Sequence, residues 1–128
     1  MNELEEGAEV ALQFEKRGGI LPVVVQHAQS GAILMLAYTN REAFDLTVKS
    51  GFAHFYSTSR RKLWKKGESS GDLLQIEEVL VDCDQDALVY KVTMLGDGVC
   101  HTVGSDGRHR LSCFYRRLSG GTLENLIP

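Results

Sequence analysis

The sequence has only three cysteines, two prolines and one tryptophan, and no long apolar run. Three cysteines cannot all pair with one another, so no disulfide framework is expected; in a reducing cytosol the thiols are buried, catalytic or metal-bound. The longest apolar stretch, Ala32 to Ala37, falls far short of the roughly 20 residues a membrane helix needs. The acidic start Met1-Asn2-Glu3-Leu4-Glu5-Glu6 has neither a basic nor an apolar region, which speaks against a secretory signal and for a cytoplasmic protein. Basic charge is not in excess: 14 Lys and Arg face 17 Asp and Glu, and a net charge of −3 argues against nucleic-acid coating. There is no internal repeat and no low-complexity tract.

What remains is an ordinary globular composition, 43% hydrophobic and 24% charged, in 128 residues that fit a single domain spanning 1–128. A domain of this size buries only about two-thirds of its unfolded surface, so a metal or a second subunit would help to hold it. Apolar spacing predicts an amphipathic helix from Glu3 to Arg17, ended by Gly18-Gly19. Ile20–Gln26 and Ala32–Tyr38 read as a hairpin, with Pro22 at an edge or a strand start. Thr39-Asn40-Arg41-Glu42 has capping-box spacing for a short helix that stops at Gly51. Strands are expected at Phe52–Ser57, Leu73–Asp82, Ala87–Leu95 and Leu111–Arg117, with a polar loop from Arg60 to Gly71. The fold class is therefore α+β: a mainly antiparallel, barrel-like sheet with two short helices.

The most unusual stretch is Asp82-Cys83-Asp84-Gln85-Asp86, lying between two apolar strands. In extended backbone the aspartates share one face, and neighbours at about 7 Å can reach one ion. The outer pair is about twice as far apart, so the chain must bend if all three are to bind together. Such carboxylates repel unless protonated or neutralised, and hard oxygen ligands with room for water suit Mg²⁺. An EF-hand is excluded, because its required glycine and glutamate are here Ala87 and Thr93. From this stretch alone, a solvated acidic turn stays open.

Cys83, Cys100 and Cys113 lie 17 and 13 positions apart, with no Cys-x-x-Cys pair. Small buried hydrophobes are the bland reading of such cysteines. Their setting favours another: Cys83 sits inside the aspartate run and His101 follows Cys100. Three thiolates with one open position would make a catalytic zinc site. Alternation turns Cys83 away from the aspartates, so serving one pocket requires a twist or ligands from two chains. His101 is the candidate for acid–base work. His27 and His54 read as packed or surface residues, and His109 as a loop residue.

The stretch Ser57 to Gly71 carries five positive charges, four serines and a threonine, donors suited to phosphate oxygens. Trp64 could stack on a flat ring or serve as a packing anchor. Gly67 and Gly71 bracket Glu68-Ser69-Ser70 and permit close approach to a ligand.

Taken together, Leu36-Ala37-Tyr38, Ser59-Arg60, Trp64-x-Lys66-Gly67-Glu68-Ser69-Ser70-Gly71, Asp82-Cys83-Asp84-Gln85-Asp86, Cys100-His101-Thr102 and Ser112-Cys113-Phe114-Tyr115-Arg116 resemble the phosphoribosyl-AMP cyclohydrolases of the third step of histidine biosynthesis. The resemblance runs from about Gly19 to Arg117. It implies magnesium on Asp82, Asp84 and Asp86, and zinc on Cys83, Cys100 and Cys113, shared between the chains of an intertwined homodimer. It also implies a phosphorylated nucleotide substrate held by Arg60, Trp64, Lys66, Glu68, Ser69 and Ser70. Water would add to C6 of the purine and the N1–C6 bond would break, with zinc lowering the pKa of that water and His101 as base. The segment from Val103 to Arg110 is longer than in the shortest family versions, and the stand-alone form is expected. A nucleobase deaminase is disfavoured, since no histidine is followed two residues later by glutamate and no Cys-x-x-Cys exists. The remaining alternative is a non-catalytic, zinc-stabilised dimeric binding module, which leaves the aspartates unexplained.

Overall fold

The computed structural model describes residues 3–128. Its centre is a four-stranded sheet of β1 (Leu21–His27), β2 (Ile33–Thr39), β5 (Leu74–Val81) and β6 (Leu88–Met94), in the order β2-β1-β6-β5. The β1–β2 and β5–β6 pairs are antiparallel hairpins, and β1 runs parallel to β6. Pro22, which has no amide to donate, pairs only with Tyr38 of β2; the ladder to β6 starts one residue later, at Val23. Between the hairpins lie helix α2 (Arg41–Ser50) and a small hairpin of β3 (His54–Ser57) with β4 (Lys62–Lys65). A last hairpin, β7 (Arg116–Ser119) with β8 (Thr122–Asn125), follows. The α+β class and the mainly antiparallel sheet are as expected.

Strand alternation builds the core. Leu21, Val23 and Val25 of β1 are fully buried, as are Leu34 of β2, Leu74 of β5, and Tyr90 and Val92 of β6. Phe55 of β3 is also fully buried, with its ring 5.2 Å from Trp64 and 6.1 Å from Tyr90. It joins the small hairpin to the main sheet. Phe55→Ala is therefore expected to lower the unfolding free energy by about 3–5 kcal/mol, measured by urea denaturation. A loss below about 1 kcal/mol would contradict this role.

Several local expectations give way to tertiary contacts. The helix over Glu3–Arg17 shrinks to α1 (Glu3–Glu6) and a single 3-10 turn at Glu15–Arg17. Between them the buried Gln85 side chain accepts from the Ala11 amide at 2.7 Å and donates to the Leu4 and Glu9 carbonyls, and this replaces helical bonds. Helix α2 is capped by Asn40, whose side chain accepts from the Ala43 amide at 2.9 Å, while the expected cap, Thr39, is fully buried at the end of β2. Gly51 ends α2 in the left-handed conformation, as expected. β4 arises inside the segment expected to be a loop. The strand expected at Leu111–Arg117 forms only at its last two residues, where β7 begins; before them the Leu111 carbonyl accepts from the Val99 amide and the Cys113 amide donates to Leu34.

Candidate active site

The aspartate run is not extended. It is the turn that joins β5 to β6, closed by the Asp82 amide to the Ala87 carbonyl and by Gln85 with φ +56°. Asp82 Oδ1 accepts from the Asp86 and Ala87 amides at 2.9 and 3.0 Å. This supplies the bend that an extended strand lacked. One carboxylate oxygen from each of Asp82, Asp84 and Asp86 lies within 4.8 Å of the others. Lys16 approaches Asp86 at 3.0 Å and Asp84 at 3.3 Å, and Arg17 approaches Asp86 at 2.9 Å. The Lys16 ammonium, followed by the neighbouring donors, holds the Asp86 carboxyl well below the usual carboxylate range. Burial and the crowding by Asp86 and Asp84 push Asp82 the other way, despite its two amide donors. Oxygen donors at this spacing fit a hard divalent cation, which would compete with Lys16.

Cys100 and Cys113 come together within hydrogen-bond reach of each other. Ser112 Oγ donates to the Ile33 carbonyl at 2.7 Å, and Cys113 N donates to Leu34, so β2 seats the second thiol. Cys100 is buried, with its sulfur 2.9 Å from the Thr102 hydroxyl. Burial alone would raise the Cys100 pKa, but the Thr102 hydroxyl and amide, Cys113 and Arg110 outweigh it and lower it. Burial and the adjacent Cys100 push Cys113 up to about 11. The pair thus accommodates one negative charge and resists a second, the situation a soft cation relieves. Cys83 is exposed in the β5–β6 turn, and among the described residues the aspartates are the only cluster of three or more such ligands. The three thiols therefore do not converge within one chain.

A cleft of about 480 Å³ opens beside Cys113. Arg60, Trp64, Lys66 and His101 line it, together with Met35, Ser57, Ser59, Lys62 and Val99. Lys66 Nζ donates to the Val99 carbonyl at 2.7 Å, which fixes the ammonium at the cleft wall. Trp64 packs on Phe55, as the packing-anchor reading expects, and it also borders the cleft. Glu68, Ser69 and Ser70 line an adjoining cleft of about 370 Å³ that shares Arg60, Lys62 and Trp64 with the first. His27 bonds Ser30 at a turn and His54 is buried with its ring on the Phe52 carbonyl, so neither enters the cleft.

Three residues that sequence reasoning passed over, and His109, read there only as a loop residue, shape this region. Lys16 and Arg17 counter the aspartates, and their only signal was a basic pair before Gly18-Gly19. Asp72 and His109, by contrast, form a 2.6 Å contact that nothing in the sequence pattern announces. Burial disfavours the Asp72 charge, but the His109 ring and the Asp97 amide outweigh it and lower its pKa.

Comparison with known proteins places this geometry in context. Residues 35–115 match the family model described as phosphoribosyl-AMP cyclohydrolase. The chain is similar to the phosphoribosyl-AMP cyclohydrolase of Methanospirillum hungatei, with 50% identity over 111 residues, covering 87% of this chain and 79% of that protein. It is 51% identical over 109 residues to the phosphoribosyl-AMP cyclohydrolase of Archaeoglobus fulgidus, covering 85% and 94% respectively. The histidine biosynthesis bifunctional protein HisIE of Aquifex aeolicus is 44% identical over 117 residues, which span 91% of this chain and 54% of that protein.

Proposed function

Because the chain belongs to the phosphoribosyl-AMP cyclohydrolase family and is a hydrolase of histidine biosynthesis, we propose that it opens the purine ring of its substrate with zinc on Cys83, Cys100 and Cys113, and magnesium on Asp82, Asp84 and Asp86. The observation that carries this reading is the cleft that brings Arg60, Trp64, Lys66, His101 and Cys113 together. Zinc, when bound, lowers the pKa of water and so supplies a nucleophile at neutral pH.

The chain's own residues supply the rest. Arg60 and Lys66 give the fork and point charges that phosphate oxygens take, and the Ser69 and Ser70 hydroxyls add neutral donors beside Glu68. Trp64 offers an aromatic wall for a purine. His101 is exposed at the cleft and accepts a proton as water adds to C6, returning it as the N1–C6 bond breaks.

Two observations support a homodimer. Cys83 stands apart from the other thiols, so a complete ligand set needs a second chain. The β7–β8 hairpin is exposed along its whole length, with Leu118 74% and Leu123 57% exposed and directly paired. A bare two-stranded hairpin is marginal in water, and a partner that covers these leucines stabilises it. Three free thiols suit the cytoplasm, and among the described residues no helix is long and apolar enough to cross a membrane.

The test is an absorbance assay on phosphoribosyl-AMP, run beside metal analysis of the same preparation. Ring opening that tracks bound zinc is expected. Full turnover by zinc-free protein would remove the metal assignment.

A further inference from the structure

The segment that joins Cys100 to Cys113 is a narrow doubled-back loop. Cys100 N donates to the Arg110 carbonyl, Arg110 N donates to Thr102, and Val103 bridges His109. Its base carries Cys100 and His101, and its returning arm carries His109. His109 Nδ1 meets Asp72 Oδ2 at 2.6 Å, a charge-assisted distance. Asp72 is 8% exposed and directly follows the Glu68–Gly71 loop. Its amide donates to Ser70 Oγ at 3.2 Å, and its Oδ1 accepts from the Asp97 amide at 3.2 Å. A Cβ at Gly96 would overlap the Asp72 carboxylate and one at Gly67 its backbone, so the residue is closely packed by both loops. One carboxylate therefore fastens the loop bearing the buried thiol and the histidine to the loop bearing the serines.

We propose that Asp72 and His109 are a positioning pair for the hydrolytic reaction, holding the Cys100–His101 end of the cleft at a fixed separation from its Glu68–Gly71 end. The inference rests on the reading that Cys100 and His101 belong to the reaction centre. Neither member of the pair touches substrate; both act through the loops they join. Small misplacements of reacting groups are costly, about a hundredfold for 1 Å, so a latch at this junction sets turnover.

The full-length protein is compared with His109→Ala, His109→Asn and Asp72→Asn. The readouts are kcat per folded chain, bound zinc, and hydrogen exchange at the Cys100 and Arg110 amides. His109→Ala is expected to lower kcat about tenfold and to speed exchange at those two amides, leaving β1 and β6 protected. The asparagine amide can stand where Nδ1 does, so His109→Asn restores kcat to within about threefold of wild type. Asp72→Asn keeps an acceptor without the charge and falls between them; should it fail to fold, the two His109 variants still decide. A His109→Ala enzyme within twofold of wild type, or a His109→Asn enzyme as impaired as the alanine variant, would overturn the proposal. Failure of the underlying reading has a different signature: Cys100→Ser would stay active, while the exchange measurement would still report the latch.

Discussion

Replacing Cys100 by serine is expected to abolish the proposed zinc binding and to lower turnover by at least about a thousandfold, the scale on which loss of an activated nucleophile is felt. The reason lies in the thiol's surroundings. Cys100 is buried against the Thr102 hydroxyl, and it is the easily ionised member of the pair with Cys113. A serine hydroxyl does not ionise near neutral pH and is a hard donor, poorly matched to zinc beside sulfur. It still bonds Thr102 and fills nearly the same volume, so the fold should persist. Metal content by mass spectrometry, circular dichroism and the absorbance assay on one sample separate these effects. A folded Cys100→Ser protein with near-normal turnover would contradict the assignment.

Asp84→Asn is expected to weaken Mg²⁺ binding tenfold or more, and to lower kcat/KM by a similar factor at limiting Mg²⁺. Asp84 is the clean member of its cluster, because its carboxylate meets Lys16 at 3.3 Å and, among the described residues, caps no backbone amide. Stability should hold or rise slightly, since one of three crowded carboxylates loses its charge. Asp82→Ala makes the contrast. It removes the same class of ligand together with both amide bonds that shape the turn, and it should cost a further stability loss of about 1–2 kcal/mol. Calorimetric Mg²⁺ titration and urea denaturation of the two variants read the difference. Unaltered Mg²⁺ affinity in Asp84→Asn would remove that residue from the ligand set.

Much of the site was legible because its residues lie in short motifs of unusual composition. Arg60, Trp64, Lys66, His101 and Cys113 come from separate stretches and meet in one cleft. The aspartates were singled out in the sequence but placed by the wrong geometry. Alternation along a strand separates the outer pair, whereas a turn through Gln85 at φ +56° gathers all three. The misread helix at Glu3–Arg17 shares that cause, since Gln85 is remote in sequence and its amide group takes over the backbone partners there. β4 was hidden because Lys62-Leu63-Trp64-Lys65 is polar at both ends, and its antiparallel pairing with His54–Ser57 makes it a strand. The β7–β8 hairpin had a readable turn in Ser119-Gly120-Gly121-Thr122, which a strand drawn through Arg117 obscured. The Asp72–His109 contact joins residues 37 positions apart and obeys no local period.

One measurement reaches the proposed shared ligand set most directly. Cys83→Ser and Cys100→Ser proteins, each inactive alone, are unfolded together, refolded with zinc and assayed. If every site draws Cys83 from one chain and Cys100 with Cys113 from the other, random pairing leaves about a quarter of the wild-type sites intact. Recovery near that fraction, with zinc bound in proportion, is the predicted result. A mixture as inactive as its two components would contradict the account.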